Sequence, residues 1–335
     1  MIEDASQAPQ VEVDLLRPED APQVAALFRK VYGDGYPVRD YYEPETLIAA
    51  NRAGRIISSV ARTAEGRVVG HVALFSHSPH PKTYESGAGL VEPEHRAGNL
   101  FTRMCAHGVA VGGPRFGVQA VWGEPVCNHV YSQRMCRSLG WISMALEVDL
   151  MPAAAYAKEK SAEGRVSAVQ DFVTLRPQPH RVHLPAAYAG DVAWLYDGFD
   201  DRRELVVADD PLPAGVTTRI DNRIIPPAQV ARMTLWQTGP DLDQALATAE
   251  AEALAQGVEV CQAWLSLGDA WSGAAVEMLR ARGYFLGGLL PRWFGVDGLL
   301  MQKLRRPPEW EAIKLEFDRA KRLLALVRAD WERTV

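Results

Sequence analysis

Apolar and polar side chains alternate over residues 11–16 (Val-Glu-Val-Asp-Leu-Leu), as in a half-buried strand. Arg17-Pro18-Glu19-Asp20-Ala21-Pro22 then opens an amphipathic helix to about residue 31. Two β-rich runs, 55–62 and 68–76, flank the turn-forming Thr63-Ala64-Glu65-Gly66 and predict a hairpin, followed by a strand ending at Val91. A helix over 100–111, a strand over 118–122, a helix over 129–139 and a strand over 141–150 complete this half. Mixed strands and helices in this order predict an α/β (α+β) sandwich.

Residues 152–164 read as a mobile connection and 166–175 as a long strand. Arg176-Pro177-Gln178-Pro179 breaks regular structure, which sets a domain boundary and divides the chain into 11–176 and 180–335. A comparable order then returns: helix 188–195, strands 204–208, 215–221 and 229–237, helix 242–256, strand 258–265, helix 270–282, strands 284–290 and 299–304. Each half carries a helix ending in a Gly-aromatic pair, Gly140-Trp141 and Gly283-Tyr284, and glycine is a natural helix cap. A last helix over 309–332 is partly amphipathic, with Ile313, Leu315, Phe317, Leu323, Leu324, Leu326 and Val327 amid dense charge. Packing at a domain junction or a dimer interface explains it better than a membrane, whose anionic lipids its acidic residues would oppose.

The 335 residues suit two ordinary domains, and 47% hydrophobic with 23% charged residues is a soluble globular composition. No apolar run approaches the roughly 20 residues that span a bilayer, and Met1-Ile2-Glu3-Asp4 lacks the basic start of a signal peptide. A cytoplasmic setting is the expectation. A net charge of −6 argues against general affinity for nucleic acid, and the four cysteines show no metal-ligand spacing, so no metal is expected.

The most informative stretch is 85–104, which reads as a strand, a basic, glycine-containing turn and a helix start. Such a turn can hold a pyrophosphate: small residues let the main chain approach, the first helical N–H groups point at the ligand, and Arg96 adds a charge. An ordinary strand-to-helix turn with a solvated arginine is the plainer alternative. The corresponding stretch of the second half, Trp236 to Asp243, has no cation and two carboxylates, which predicts a non-catalytic second domain.

The order Val91-x-Pro93-x-x-Arg96-x-x-x-Leu100 resembles the acyl-CoA-binding loop of the GNAT N-acyltransferase superfamily, usually Arg/Gln-x-x-Gly-x-Gly/Ala. Starting the motif at Arg96 puts Asn99 and Phe101 in the two small-residue places. Starting it at His95 brings Gly98 into the first but leaves Leu100 in the second. The Arg96 frame keeps the spacing from Val91-x-Pro93. Further segments are similar to a subgroup of tandem GNAT proteins: Val31-Tyr32-Gly33-Asp34-Gly35-Tyr36-Pro37, Val69-Gly70-His71-Val72-Ala73-Leu74, His129-Val130-Tyr131-Ser132-Gln133, Val182-His183-Leu184-Pro185, and Leu290-Pro291-Arg292-Trp293 with Asp297. The resemblance implies an acetyl-CoA or longer acyl-CoA donor, a small-molecule or peptide amine acceptor and direct transfer, in a monomer or homodimer. An acyl-carrier-protein thioester is an alternative donor, and a degenerate pair that binds acyl-CoA without turnover is an alternative function.

By the same resemblance, Leu90, Val91, Arg96, Ala97, Gly98, Asn99, Leu100, Phe101 and Thr102 are the donor-binding residues, joined by Asn128 and Ser132 at the next helix start, where Asn128 is also a candidate N-cap. Glu85 is the candidate base, or it reads as a polar strand residue. Cys136 stands where the family often has the tyrosine acid, four residues before Gly140. A thiol with an ordinary value of about 8.5 could protonate the leaving thiolate, although buried cysteines are usually small apolar residues. Tyr131 and His129 are the other candidates on that helix. Tyr36, Tyr41, Tyr42 and Trp293 are aromatic candidates for the acceptor site, or for packing.

Overall fold

The computed structural model describes residues 11–96, 98–156, 164–199 and 201–335. The chain separates at Val121/Trp122 into two compact units, inside the fifth strand.

In the first unit, β1 (Glu12–Leu15), β2 (Ile56–Arg62), β3 (Val68–Phe75) and β4 (Thr83–Val91) pair antiparallel in that order. The turn at Thr63–Gly66, where Gly66 N–H donates to Thr63 O at 3.0 Å, joins β2 and β3 as the expected hairpin. Helix α1 (Ala21–Tyr32) buries Val24, Ala25, Leu27 and Phe28, and α2 (Pro44–Arg52) starts with proline at its first position, where the missing N–H costs nothing. Arg62 and Asp20 form a buried ion pair between β2 and the start of α1, with Arg62 Nε 2.8 Å from Asp20 Oδ1. The helix expected over 100–111 is α3 (Leu100–His107), followed by a wide turn (Gly108–Gly112) and α4 (Gly113–Phe116). Three glycines at 108, 112 and 113 supply little helix propensity there.

β3 and β4 do not pair evenly. His71 faces Leu90 and Ala73 faces Gly87, so β4 carries one extra residue. Ala88 within this bulge has φ +49°, a left-handed conformation uncommon for alanine.

The second unit holds a mixed sheet in the order β5 (Ala120–Gly123), β7 (Arg165–Thr174), β6 (Ile142–Pro152), β13 (Phe285–Leu290), β14 (Gly298–Leu304), β12 (Val260–Ser266), β11 (Val230–Gln237), β10 (Arg219–Ile225). β11 and β12 run parallel, while β6–β7, β13–β14, β14–β12 and β10–β11 are antiparallel. A strand, helix and hairpin occur twice, as β5, α5 (Tyr131–Ser138), β6, β7 and as β12, α8 (Ser272–Ala281), β13, β14. The two hairpins meet at Gly288 opposite Ala145. Both helices end in the same cap: Gly140 and Gly283 have φ +76° and +83°, and the following Trp141 and Tyr284 N–H groups donate back to Cys136 O and Leu279 O at 3.0 Å.

The strand expected over 204–208 is β9 (Arg203–Ala208), which pairs parallel with β8 (His180–Pro185), a strand not expected from the sequence; the two flank the short α6 (Ala189–Val192). Helices α7 (Leu242–Ala255) and α9 (Asp318–Glu332) complete the unit. The last helix therefore begins nine residues later than expected. Lys314 N–H donates to Cys127 O at 2.7 Å and Glu316 N–H to the Gln133 side chain at 3.2 Å, so tertiary partners take the backbone groups a helix would use. Residues 157–163 of the expected mobile connection lie outside the described residues. Among the described residues, no helix is long and apolar enough to cross a membrane.

Candidate active site

β4 delivers the chain to the start of α3 through Val91, Glu92 and a tight turn at Pro93–His95. Glu92 is buried between Lys30, 2.9 Å away, and Arg67. Burial alone would raise its carboxyl, but the hydrogen bonds from those two cations hold it below the usual glutamate range. Arg96 donates from Nε to Val91 O at 3.0 Å, which anchors an otherwise exposed side chain at the strand end. Its terminal nitrogens make no other hydrogen bond among the described residues. Gly98 has φ +109° with open space where a Cβ would stand, so the loop takes a course that only glycine adopts cheaply. Asn99 is the N-cap of α3 and Leu100 is buried beneath it, while Thr102 is half-buried. Ala97 lies outside the described residues.

Phe101 lies across the strand rather than away from it: a Cβ added to Gly89 would come within 2.3 Å of its ring. The small residue at 89 makes room for the large one at 101.

Upstream on β4, Glu85 Oε2 lies 3.2 Å from His77 Nε2, and Glu85 faces Phe75 across the ladder. His77 was not among the sequence candidates. It sits beyond the end of β3, and only the strand register brings it to Glu85. Tyr36 and Tyr41 feel the same carboxylate: burial first, then neighbouring tyrosine and Glu85 charge, raise both hydroxyls so that they stay protonated. Tyr36 and Tyr41 line an open cleft of about 610 Å³ with Arg55, Phe75, Lys82 and Tyr84. Tyr42 has a packing role, since it is buried and its hydroxyl accepts the Tyr36 N–H at 2.9 Å.

Beneath this face runs a buried hydrogen-bond chain. Asn51 Nδ2 donates to Ser58 Oγ at 3.3 Å, Ser58 Oγ lies 2.9 Å from His71 Nε2, and His71 Nδ1 lies 2.9 Å from Ala88 O. A carbonyl can only accept, so Nδ1 carries the proton and Nε2 accepts from the serine. Complete burial lowers His71 to about 4, keeping the ring neutral.

In the second unit, α5 begins at Tyr131 and its N-cap is Val130 with no side-chain cap, so Asn128 does not take the expected capping role. The reason is positional, because the helix starts two residues further on. Asn128 is buried, and His129 Nδ1 and Ser132 Oγ are buried without a hydrogen-bond partner among the described residues. Tyr131 is 73% exposed, its ring 5.3 Å from that of His129. Cys136 is buried, and its thiol is bonded to Asp171, a carboxylate that burial pushes up to about 6 despite hydrogen bonds from Ser143 and Cys136. Trp293 is fully buried with ring centroids 4.9 Å from Trp122 and 5.1 Å from Trp264. That corrects its reading as a groove residue: it is core.

His180, Asp201 and Asp297 converge closely enough to suggest a cation site, but Arg203 already lies among them, bonded to Asp297 through Nε and 3.3 Å from Asp201. Burial would raise Asp297, yet its bonds from His180 and Arg203 hold the carboxyl far below its usual range. The guanidinium supplies the charge that a metal would.

No family model and no curated protein matches the sequence. Solved structures do show partial likeness. A ribosomal-protein-S5-alanine acetyltransferase from Vibrio fischeri is 11% identical, covering 50% of this chain and 94% of its own, with a TM-score of 0.40. A spermidine N-acetyltransferase from Vibrio cholerae, solved with CoA and spermine, is 12% identical over 49% of this chain and 95% of its own (TM-score 0.38). An N-acetyltransferase from Staphylococcus aureus Mu50 is 12% identical over 50% of this chain and 99% of its own (TM-score 0.39).

Proposed function

We propose that the protein is an acyl-CoA-dependent N-acyltransferase in which the β4–α3 loop binds the donor pyrophosphate and an amine attacks the thioester beside the β4 bulge. The observation that carries this reading is the single strand β4, which sets Glu85 beside His77 from beyond β3, carries a bulge at Ala88 and leads into an arginine-anchored loop ahead of a helix N-terminus. Glu85 and His77 would take the proton from the ammonium, directly or through water. Backbone N–H groups of the distorted strand would polarise the thioester carbonyl. The attacking nitrogen forms the amide bond, the C–S bond breaks, and the CoA thiolate leaves with a proton.

The acceptor is an amine entering the cleft walled by Tyr36 and Tyr41. Asn128, His129, Ser132 and Tyr131 are secondary candidates for donor contact and proton return, whereas Cys136 would first have to leave Asp171. The repeated strand–helix–hairpin and its matching caps support a tandem arrangement, with 11–176 as donor domain and 180–335 as a degenerate partner.

Release of free CoA thiol, followed across a panel of amines with wild type and Glu85→Gln, tests the assignment. The expected result is turnover reduced by about 10²- to 10⁴-fold in the variant with acyl-CoA binding retained. Binding without turnover by the wild type would favour the second reading, a non-catalytic acyl-CoA binder. Phe101 packed over Gly89 and a cysteine in the usual tyrosine place are the features behind that alternative. Turnover only with a carrier-borne thioester would instead change the donor.

A further inference from the structure

A second cleft, of about 290 Å³, opens in the second unit where β11 and β12 begin, lined by Asp149, Arg165, Gln229, Glu259, Arg306 and Glu309 with apolar walls from Pro152, Val260, Leu304 and Pro307. Its charges are unevenly satisfied. Arg165 spends its N–H groups on neutral acceptors: Nε on Asp149 O at 2.6 Å, Nη2 on Leu150 O and Ala228 O at 3.0 and 2.7 Å, and Nη1 on Gln229 Oε1 at 3.1 Å. Arg306 pairs with Glu259 at 3.3 Å. No ion pair joins Asp149 or Glu309 to a cation among the described residues.

Asp149 is 5% exposed, and its Oδ1 has no hydrogen-bond partner among those residues. A buried acceptor left unpaired is costly, and one on a cavity wall invites a donor. Burial pushes its carboxyl up to about 6, with the Glu309 charge adding to the rise and a hydrogen bond from the Glu309 backbone and the Arg165 charge only partly opposing it. Asp149 and Gln229 also hold φ of +52° and +55°, and Arg165 donates to both residues.

We propose that this cleft binds a small alkylammonium ligand, its ammonium donating to Asp149 and Glu309 and its carbon chain lying along Pro152, Val260, Leu304 and Pro307. An anionic ligand would meet three carboxylates and find both arginines engaged. A neutral alcohol would supply one donor and no charge. The site needs no acyl donor and does not depend on the proposed acyl transfer.

Isothermal titration of the full chain with n-butylammonium, n-butanol and butyrate tests it, in wild type, Asp149→Asn, Glu309→Gln and Glu85→Gln. Asparagine tolerates left-handed φ as well as aspartate, so the Asp149→Asn chain keeps its backbone. The expected result is saturable binding of n-butylammonium alone, weakened at least about tenfold by Asp149→Asn, more mildly by Glu309→Gln, and unchanged by Glu85→Gln. Butylammonium binding that survives Asp149→Asn but fails in Glu85→Gln would overturn this site and leave the acyltransferase reading standing. No binding in any chain, or equal binding of butanol, would also overturn it.

Discussion

His71 Nδ1 lies 2.9 Å from the carbonyl oxygen of Ala88, so a fully buried histidine holds the one residue of β4 that sits in a left-handed conformation. The bulge is thus tied through Ser58 and Asn51 to α2.

Burial of that histidine, which the Ala88 contact only partly offsets, makes the fold acid-sensitive. Burial lowers His71 from 6.5 to about 4. The unfolded chain therefore takes up a proton at a higher pH than the folded one. The stability this implies is fully present above 6.5 and is lost as pH falls toward 4, by about 3 kcal/mol in all. In His71→Asn, whose amide can still donate to Ala88, denaturant melts between pH 7 and 4 should lose a matching part of their slope. An unchanged slope would mean that His71 is not neutral in the native state.

Arg62 and Asp20 are both buried and bonded at 2.8 Å. Replacing Arg62 with alanine strands a carboxylate in the core, and unfolding free energy should fall by about 3–5 kcal/mol. Changing both partners to apolar residues should recover most of it, as urea titrations of the single and double variants can establish.

Trp293→Ala separates packing from recognition. With Trp122 and Trp264 against it, the truncation should cost about 3–5 kcal/mol in stability. If turnover is found, KM for the acceptor should stay within about twofold of wild type below the melting range, because truncating a core side chain removes no contact with the acceptor. A large rise in KM without loss of stability would return Trp293 to the acceptor site.

Local signals carried much of this architecture. The hairpin 56–75 was legible because two β-rich runs and a Thr-Ala-Glu-Gly turn act within twenty residues, and the caps at Gly140 and Gly283 because glycine marks them. The Ala88 bulge was not legible, since nothing about alanine announces a positive φ; a histidine 17 residues earlier in the chain helps to hold it. His77 escaped notice for a similar reason, being placed beside Glu85 by strand register alone. Residues 313–316 looked helical until their backbone was claimed by Cys127 and Gln133, a competition that periodicity cannot reveal. The aromatic candidates divided by place and not by burial: Tyr36 and the buried Tyr41 border a cleft, while Tyr42 and Trp293 went to packing.

The central claim is that the Arg96 loop receives an acyl-CoA pyrophosphate. Native mass spectrometry of the full chain titrated with acetyl-, butyryl- and long-chain acyl-CoA, beside Arg96→Ala, tests it most directly. The account predicts one acyl-CoA per chain, with affinity reduced at least about tenfold in the variant, the cost of losing one charge-assisted contact to phosphate. Failure of every acyl-CoA to bind, or identical binding by wild type and Arg96→Ala, would contradict it.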